Sequence, residues 1–241
     1  MTLIPRLLAC ALPVLAQLPT PALAEVPVTP FKAEYEVLRN GRSLGSSRIE
    51  LSDLGDGTWR WRADTTGDRG MASLVGLRID QDMRFRWHEG LPRPLDSRFT
   101  QRATFGNREV SVRYDWQALR YRLRDRKGEH EHALAEGASD RYGSGVALVA
   151  HLVAGREDFE LDVAYPDGLR RWRFRVAGEE AVETPSGTVR ARRVERVRDA
   201  DDDDRSTVSW HDPQRGFLMV RMVQIEDGDS TETRLRSLTL P

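Results

Sequence analysis

Two short stretches of this chain hold the residue types from which metal sites and catalytic centres are built. One runs Asp199-Ala-Asp-Asp-Asp-Asp204 and continues through Ser209, His211 and Asp212; the other is His130-Glu-His132. A run of carboxylates can ligate calcium, but an EF-hand-type loop needs alternating oxygen ligands, glycine at its sixth position and glutamate at its twelfth. Counted from Asp199, those places hold Asp204 and Asp212. The register fails. Clustered like charges read instead as the solvated tip of a loop, where metal binding would amount to weak calcium association.

Ser209, His211 and Asp212 contain the side chains of a hydrolytic triad. On a strand, however, positions i and i+2 stand roughly 6.5–7 Å apart at the backbone, and a triad draws its members and its oxyanion donors from separated segments. Gly143-Ser-Gly145 is no nucleophile elbow, because Tyr142 stands where the first glycine belongs. His130 and His132 would share one face of a strand and hold zinc if a third ligand came from elsewhere. The other histidines, His88, His151 and His211, are isolated in the sequence, so a polar strand end explains the pair with fewer assumptions. His151 reads as a hydrogen-bonded surface or boundary residue. No catalytic residue, metal ligand or cofactor is assigned.

The elements that would position these groups are strands. Trp59-Arg-Trp-Arg-Ala63, Met83-Arg-Phe-Arg-Trp87, Val110-Ser-Val-Arg-Tyr114, Phe159-Glu-Leu-Asp-Val163 and Trp172-Arg-Phe-Arg-Val176 all alternate apolar with polar residues. That period of two, rich in aromatic and β-branched residues, marks half-buried antiparallel strands. Asn40-Gly41, Asp56-Gly57, Gly106-Asn107, Lys127-Gly128, Asp167-Gly168, Ser186-Gly187 and Asp227-Gly228 punctuate the runs as turns. The pattern predicts strands at 31–39, 44–52, 58–65, 77–88, 96–104, 108–115, 119–126 and 129–134. A second series follows at 158–165, 170–177, 188–198, 205–211, 217–226 and 230–239.

One helix is predicted over 139–154, capped by Ser139, ended by Gly155 and striped by Tyr142, Val146, Val149 and Val153. Residues 67–76 fit neither period and read as a long connection with room for one helical turn. A large antiparallel sheet must curl or be covered to hide its apolar face. The expected fold is therefore mainly β: a large curved antiparallel sheet, barrel or half-barrel, with one helix packed against it.

The first residues tell a different story. Arg6, the apolar run Leu7–Ala16 and an Ala22-x-Ala24 site form a secretory signal over 1–24, leaving residues 25–241 as a single β-rich domain. Leu7-Leu-Ala-Cys10 has a lipobox outline, but too little apolar sequence precedes the cysteine. The expected location is the periplasm. No other stretch is long enough to span a membrane. Cys10 is the only cysteine and leaves with the signal, so the exported chain has no disulfide. With 37 Lys and Arg against 38 Asp and Glu, the chain lacks the basic excess of a nucleic-acid binder.

Phe31-Lys-Ala-Glu-Tyr-Glu-Val37 followed by Gly41 and Gly45 opens a recognisable order of features. Tyr114-Asp-Trp116 running on to Asp140 and the helix comes next, then Glu183-Thr-Pro-Ser-Gly-Thr188. Ser209-Trp-His-Asp-Pro213 with Gly216-Phe-Leu-Met-Val-Arg221 closes it. Over about residues 30–240 the chain resembles the bacterial exported proteins catalogued as domain of unknown function 3108. That resemblance implies an envelope location and supplies no activity. Residues 199–204 look like an insertion in a hairpin that is less charged in the family.

The aromatic faces remain. Trp59, Trp61, Phe85, Trp87, Trp172 and Phe174 are the expected ligand-binding residues if the concave side encloses a cavity; packed together, they are simply core. Arg60, Arg62, Arg84, Arg86, Arg171, Arg173 and Arg175 alternate with them and have carboxylates on adjacent strands as their simplest partners. The expected function is a non-enzymatic envelope protein holding a lipid-like, apolar or amphiphilic molecule. The competing readings are a protein-interaction module for envelope assembly and an unrecognised hydrolase or zinc enzyme.

Overall fold

The computed structural model describes residues 28–70, 73, 75–185, 187–198 and 205–241. The signal segment and Asp199–Asp204 lie outside the described residues. Eight strands come first: β1 (Phe31–Arg39), β2 (Arg42–Asp53), β3 (Thr58–Thr66), β4 (Arg78–His88), β5 (Leu91–Ala103), β6 (Gly106–Asp115), β7 (Arg120–Asp125) and β8 (Gly128–Ala133). Helix α1 (Ser144–Val153) separates them from six more: β9 (Asp158–Tyr165), β10 (Gly168–Thr184), β11 (Gly187–Val197), β12 (Arg205–Asp212), β13 (Leu218–Glu226) and β14 (Asp229–Thr239).

All fourteen strands form one antiparallel sheet, in the order β8-β7-β6-β5-β4-β3-β2-β1-β14-β13-β12-β11-β10-β9. Two meanders are thus welded through β1 and β14, where Lys32 pairs with Thr239 and Arg39 with Thr231. The ladder stays open between β8 and β9. Across that gap Ser139 makes a parallel bridge to Val163, the Tyr121 hydroxyl donates to the Tyr165 carbonyl at 2.7 Å, and His132 Nε2 meets the Pro166 carbonyl at 2.8 Å. The mainly β, barrel-like fold expected from alternation is the fold observed.

Helix α1 explains why the sheet bends. Val146 packs with Leu51, Trp61, Met83 and Phe85 from β2–β4, while Ala147, Leu148 and Leu152 pack with Phe159, Val163 and Phe174 from β9–β10. Those strands are far apart in sheet order, so one short helix reaches both groups only across the concave side. Its start differs from expectation. The helix begins at Ser144, and Ser139 does not cap it. Asp140 does the positioning: its Oδ1 accepts from the N–H groups of Tyr142 and Gly143 at 2.7 and 2.9 Å. Its Oδ2 accepts from the hydroxyls of Ser97 and Tyr114. Gly143 allows a close approach here: a Cβ would lie 2.2 Å from the Met83 sulfur, so that side chain would have to move. The predicted stripe is also revised: Val153 is exposed, and the buried face is widened by Ala147, Leu148, Ala150, His151 and Leu152, because α1 is packed from two sides.

Two strands differ from their expected extent by more than two residues at one end. β5 starts at Leu91 rather than 96, following a Glu89-Gly90 turn in which both residues have positive φ. Its Pro92 and Pro94 are tolerated because the ladder to β6 begins only at Asp96, and proline belongs where a strand is an edge. β10 runs on to Thr184 rather than 177 past a register shift between Val176 and Glu179.

The opposite face of the sheet carries the arginines. Arg60 binds Asp82, Arg84 binds Asp96, Arg98 binds Glu109, and Arg171 reaches both Glu160 and Asp162. These are cross-strand pairs, each worth about 0.2–1 kcal/mol at such exposure. Their consequence is orientation: on β3, β4 and β5 these pairs hold the charged face toward water.

Candidate ligand cavity

The concave side is not solid. A cavity of about 1570 Å³ opens beneath α1, walled by Phe31, Ile49, Trp61, Trp172, Phe174 and Met222 among others. Phe31 and Trp61 belong to β1 and β3, and Ile49 to β2. Trp172 and Phe174 come from β10 and Met222 from β13, so the wall is assembled from both meanders.

The six aromatic residues singled out in the sequence divide into two groups. Trp61, Trp172 and Phe174 line the cavity. Trp59, Phe85 and Trp87 do not. They pack on one another, with ring centroids 6.4 Å apart for Trp59–Phe85, 6.1 Å for Trp59–Trp87 and 5.1 Å for Phe85–Trp87 in an edge-on arrangement. Phe85 is wholly buried. Trp172 is half-buried, with the Arg196 guanidinium 3.7 Å above its ring. Its indole N–H finds no hydrogen-bond partner among the described residues. Trp210 is buried in a separate cluster with Val182, Ala191 and Val220, beside Arg221, and donates to Glu180.

Sequence reasoning missed several wall residues. Phe31, Ile49 and Met222 stand among mixed polar neighbours, and their signal was only the alternation of their own strands. Ser209 and His211 also line the cavity, and here the expectation from strand spacing is corrected. Ser209 Oγ lies 2.9 Å from His211 Nε2. A register shift between Trp210 and His211 re-aims the imidazole toward the serine. His211 Nδ1 is 3.0 Å from the Phe217 carbonyl; a carbonyl can only accept, so Nδ1 carries the proton and Nε2 accepts from the serine. Burial lowers the imidazole to about 4, so it stays neutral at physiological pH. Asp212 gives it no help: that carboxylate accepts from the Gln214 N–H at 2.9 Å and faces Arg215. The result is a neutral polar strip in an otherwise mixed wall.

The other chemical candidates are engaged elsewhere. His132 holds the Pro166 carbonyl, and His130 is 3.4 Å from Asp125. Among the described residues no three His, Cys, Asp or Glu side chains come together as a metal site. His151 is buried, contrary to its surface reading, and stacks on Phe159 at 4.4 Å. Burial and nearby Arg156 lower its pKa.

A family model described as "Protein of unknown function (DUF3108)" matches residues 31–235. The chain belongs to the DUF3108 family. The family model thus spans β1 through most of β14, and so both walls of the cavity. Among solved structures this DUF3108 chain is similar to a β-barrel-like protein of domain of unknown function DUF1849 from Brucella abortus. That match has 14% identity and a TM-score of 0.56, covering 89% of this chain and 98% of the other. Its likeness is one of fold. A MucA/MucB complex from Pseudomonas aeruginosa matches at 11% identity and a TM-score of 0.19, over 90% of this chain and 96% of that one. Overlap that slight bears on neither fold nor function. No curated protein matches, and no helix among the described residues is long and apolar enough to cross a membrane.

Proposed function

We propose that this DUF3108 chain is an exported, periplasmic envelope protein that holds an apolar or amphiphilic molecule inside its curved sheet without transforming it. The supporting observation is the cavity of about 1570 Å³, whose mixed wall sets rings such as Phe31, Trp61, Trp172 and Phe174 beside arginines and other polar residues. Ligand sites run to roughly 300–1,000 Å³ and are lined mainly by apolar side chains with a few placed polar groups. This one exceeds that range, which suits a long flexible chain better than a compact metabolite.

Export rests on the signal over 1–24, with residues 25–241 as the exported domain. The reading of binding without reaction is supported by the Ser209–His211 pair, which resembles catalytic machinery only in part. His211 has a carbonyl where a triad has a carboxylate, and an imidazole titrating near 4 is a weak base at neutral pH. The test is purification of the exported protein from periplasm, then solvent extraction and mass spectrometry. A stoichiometric amphiphile and a chain starting at Glu25 are expected. A chain that carries no such molecule and takes none up from mixed lipid extract overturns the reading.

A further inference from the structure

One mouth of the cavity carries a feature that the apolar wall does not require. Phe99 of β5 and Tyr142, just ahead of α1, stack face to face at 4.6 Å and 13°, and both line the cavity. Arg108 stands 5.6 Å over the Phe99 ring. Arg141 stands 6.0 Å over Tyr142 and 4.9 Å over Tyr165. The two guanidiniums therefore flank a single aromatic step at the rim, and both also line the cavity. Burial raises the Tyr142 hydroxyl, and the nearby charges of Arg141 and Arg108 offset this only in part.

On the outer face many arginines are tied to carboxylates of the next strand, as Arg60, Arg84 and Arg98 are. At the same end of the sheet Arg39 binds Asp229 and Arg205 binds Glu226. Among the described residues Arg108 and Arg141 form no ion pair within 4 Å. The nearest acids are engaged. Asp140 is held by the Ser97 and Tyr114 hydroxyls and two backbone N–H groups. Asp125 accepts from the Lys127 N–H and faces His130, and Asp167 pairs with Arg170, whose guanidinium shares the Tyr165 ring. An arginine resting on a ring keeps its planar fork of donors for a carboxylate or phosphate, and each of these two can offer that fork to an anionic group at the rim.

We propose that Arg108 and Arg141 form the head-group clamp for a single-chain amphiphile whose tail lies against Trp61, Trp172 and Phe174 and whose head is a carboxylate or phosphate. This rests on the cavity being a ligand site, and the experiment separates the two claims. Tryptophan fluorescence of the exported chain is titrated with dodecanoate, dodecyl phosphate, dodecanol and inorganic phosphate. At least one of the two charged amphiphiles is expected to bind about tenfold or more tighter than dodecanol. In Arg108→Gln/Arg141→Gln that preference is expected to vanish while dodecanol affinity stays unchanged. Both positions are exposed, so the variant keeps its fold, which circular dichroism checks. Equal binding of acid and alcohol, or a preference that survives the double substitution, overturns the clamp alone. Inorganic phosphate binding as tightly as dodecyl phosphate overturns the amphiphile assignment. No binding by any amphiphile overturns the cavity reading and the clamp with it.

Discussion

The same alternating motif ends differently in the two halves of the barrel. Trp59-Arg-Trp61 and Phe85-Arg-Trp87 on β3 and β4 pack with Leu51 and Met83 beneath Val146 of α1, and only Trp61 looks into open space. Trp172-Arg-Phe174 on β10 has the same spacing, yet both rings border the cavity. The difference lies in what is opposite. Gly143 brings the start of α1 close to Met83, filling the first half, while on β10 Ala147, Leu148 and Leu152 of α1 pack with Phe174 yet leave both rings bordering the cavity. Alternation decides which face a ring takes; the partner on the far side decides whether it becomes core or wall.

The largest effect should come from the filled half. Phe85→Ala removes a wholly buried ring from a close-packed cluster and is expected to lower stability by about 3–5 kcal/mol in urea unfolding, with amphiphile affinity intact in whatever fraction folds. A Phe85→Ala chain as stable as the parent would erase the contrast between the halves.

A pH effect comes next, from the cavity side. His211 titrates near 4 in the folded chain against an ordinary value of 6.5. Above about 6.5 neither state is protonated and the folded chain has its full stability. As pH falls toward 4 the unfolded chain takes the proton first, so stability drops, by about 3 kcal/mol once below 4. Urea unfolding from pH 7 to 4 should show a steeper decline for the parent chain than for His211→Gln. Parallel curves would mean that His211 is not held neutral.

Trp172→Ala should cost less, about 1 kcal/mol, since the ring is half-buried at a cavity wall. Unlike Phe85→Ala it should weaken dodecanol binding severalfold in the fluorescence titration. The smallest effect is expected on the outer face. Arg84→Gln removes one exposed cross-strand pair and should change unfolding free energy by no more than about 1 kcal/mol.

These contrasts also mark what the sequence made legible. The strands were readable because each one repeats its alternation locally, and Asn40-Gly41, Asp56-Gly57 and Asp227-Gly228 take the positive φ values their residue types favour. Glu89-Gly90 makes the same kind of turn with an unfavoured first residue. That turn and the two prolines after it hid the start of β5. The Asp140 hub was invisible for another reason: Ser97 lies 43 residues away, and nothing local announces such a partner. The Ser209–His211 contact depends on a one-residue shift in a ladder, which a period of two cannot reveal. The cavity itself follows from the spacing of opposed strands, a property of the curved sheet as a whole rather than of any segment.

The most direct test is a crystal structure of the exported chain grown with 12-bromododecanoate and measured at the bromine absorption edge. The account predicts an anomalous bromine peak inside the sheet, near Trp61, Trp172 and Phe174, with the carboxylate density toward Arg108 and Arg141. A peak confined to the outer face, or a concave side collapsed shut with those three rings in mutual contact, would contradict it.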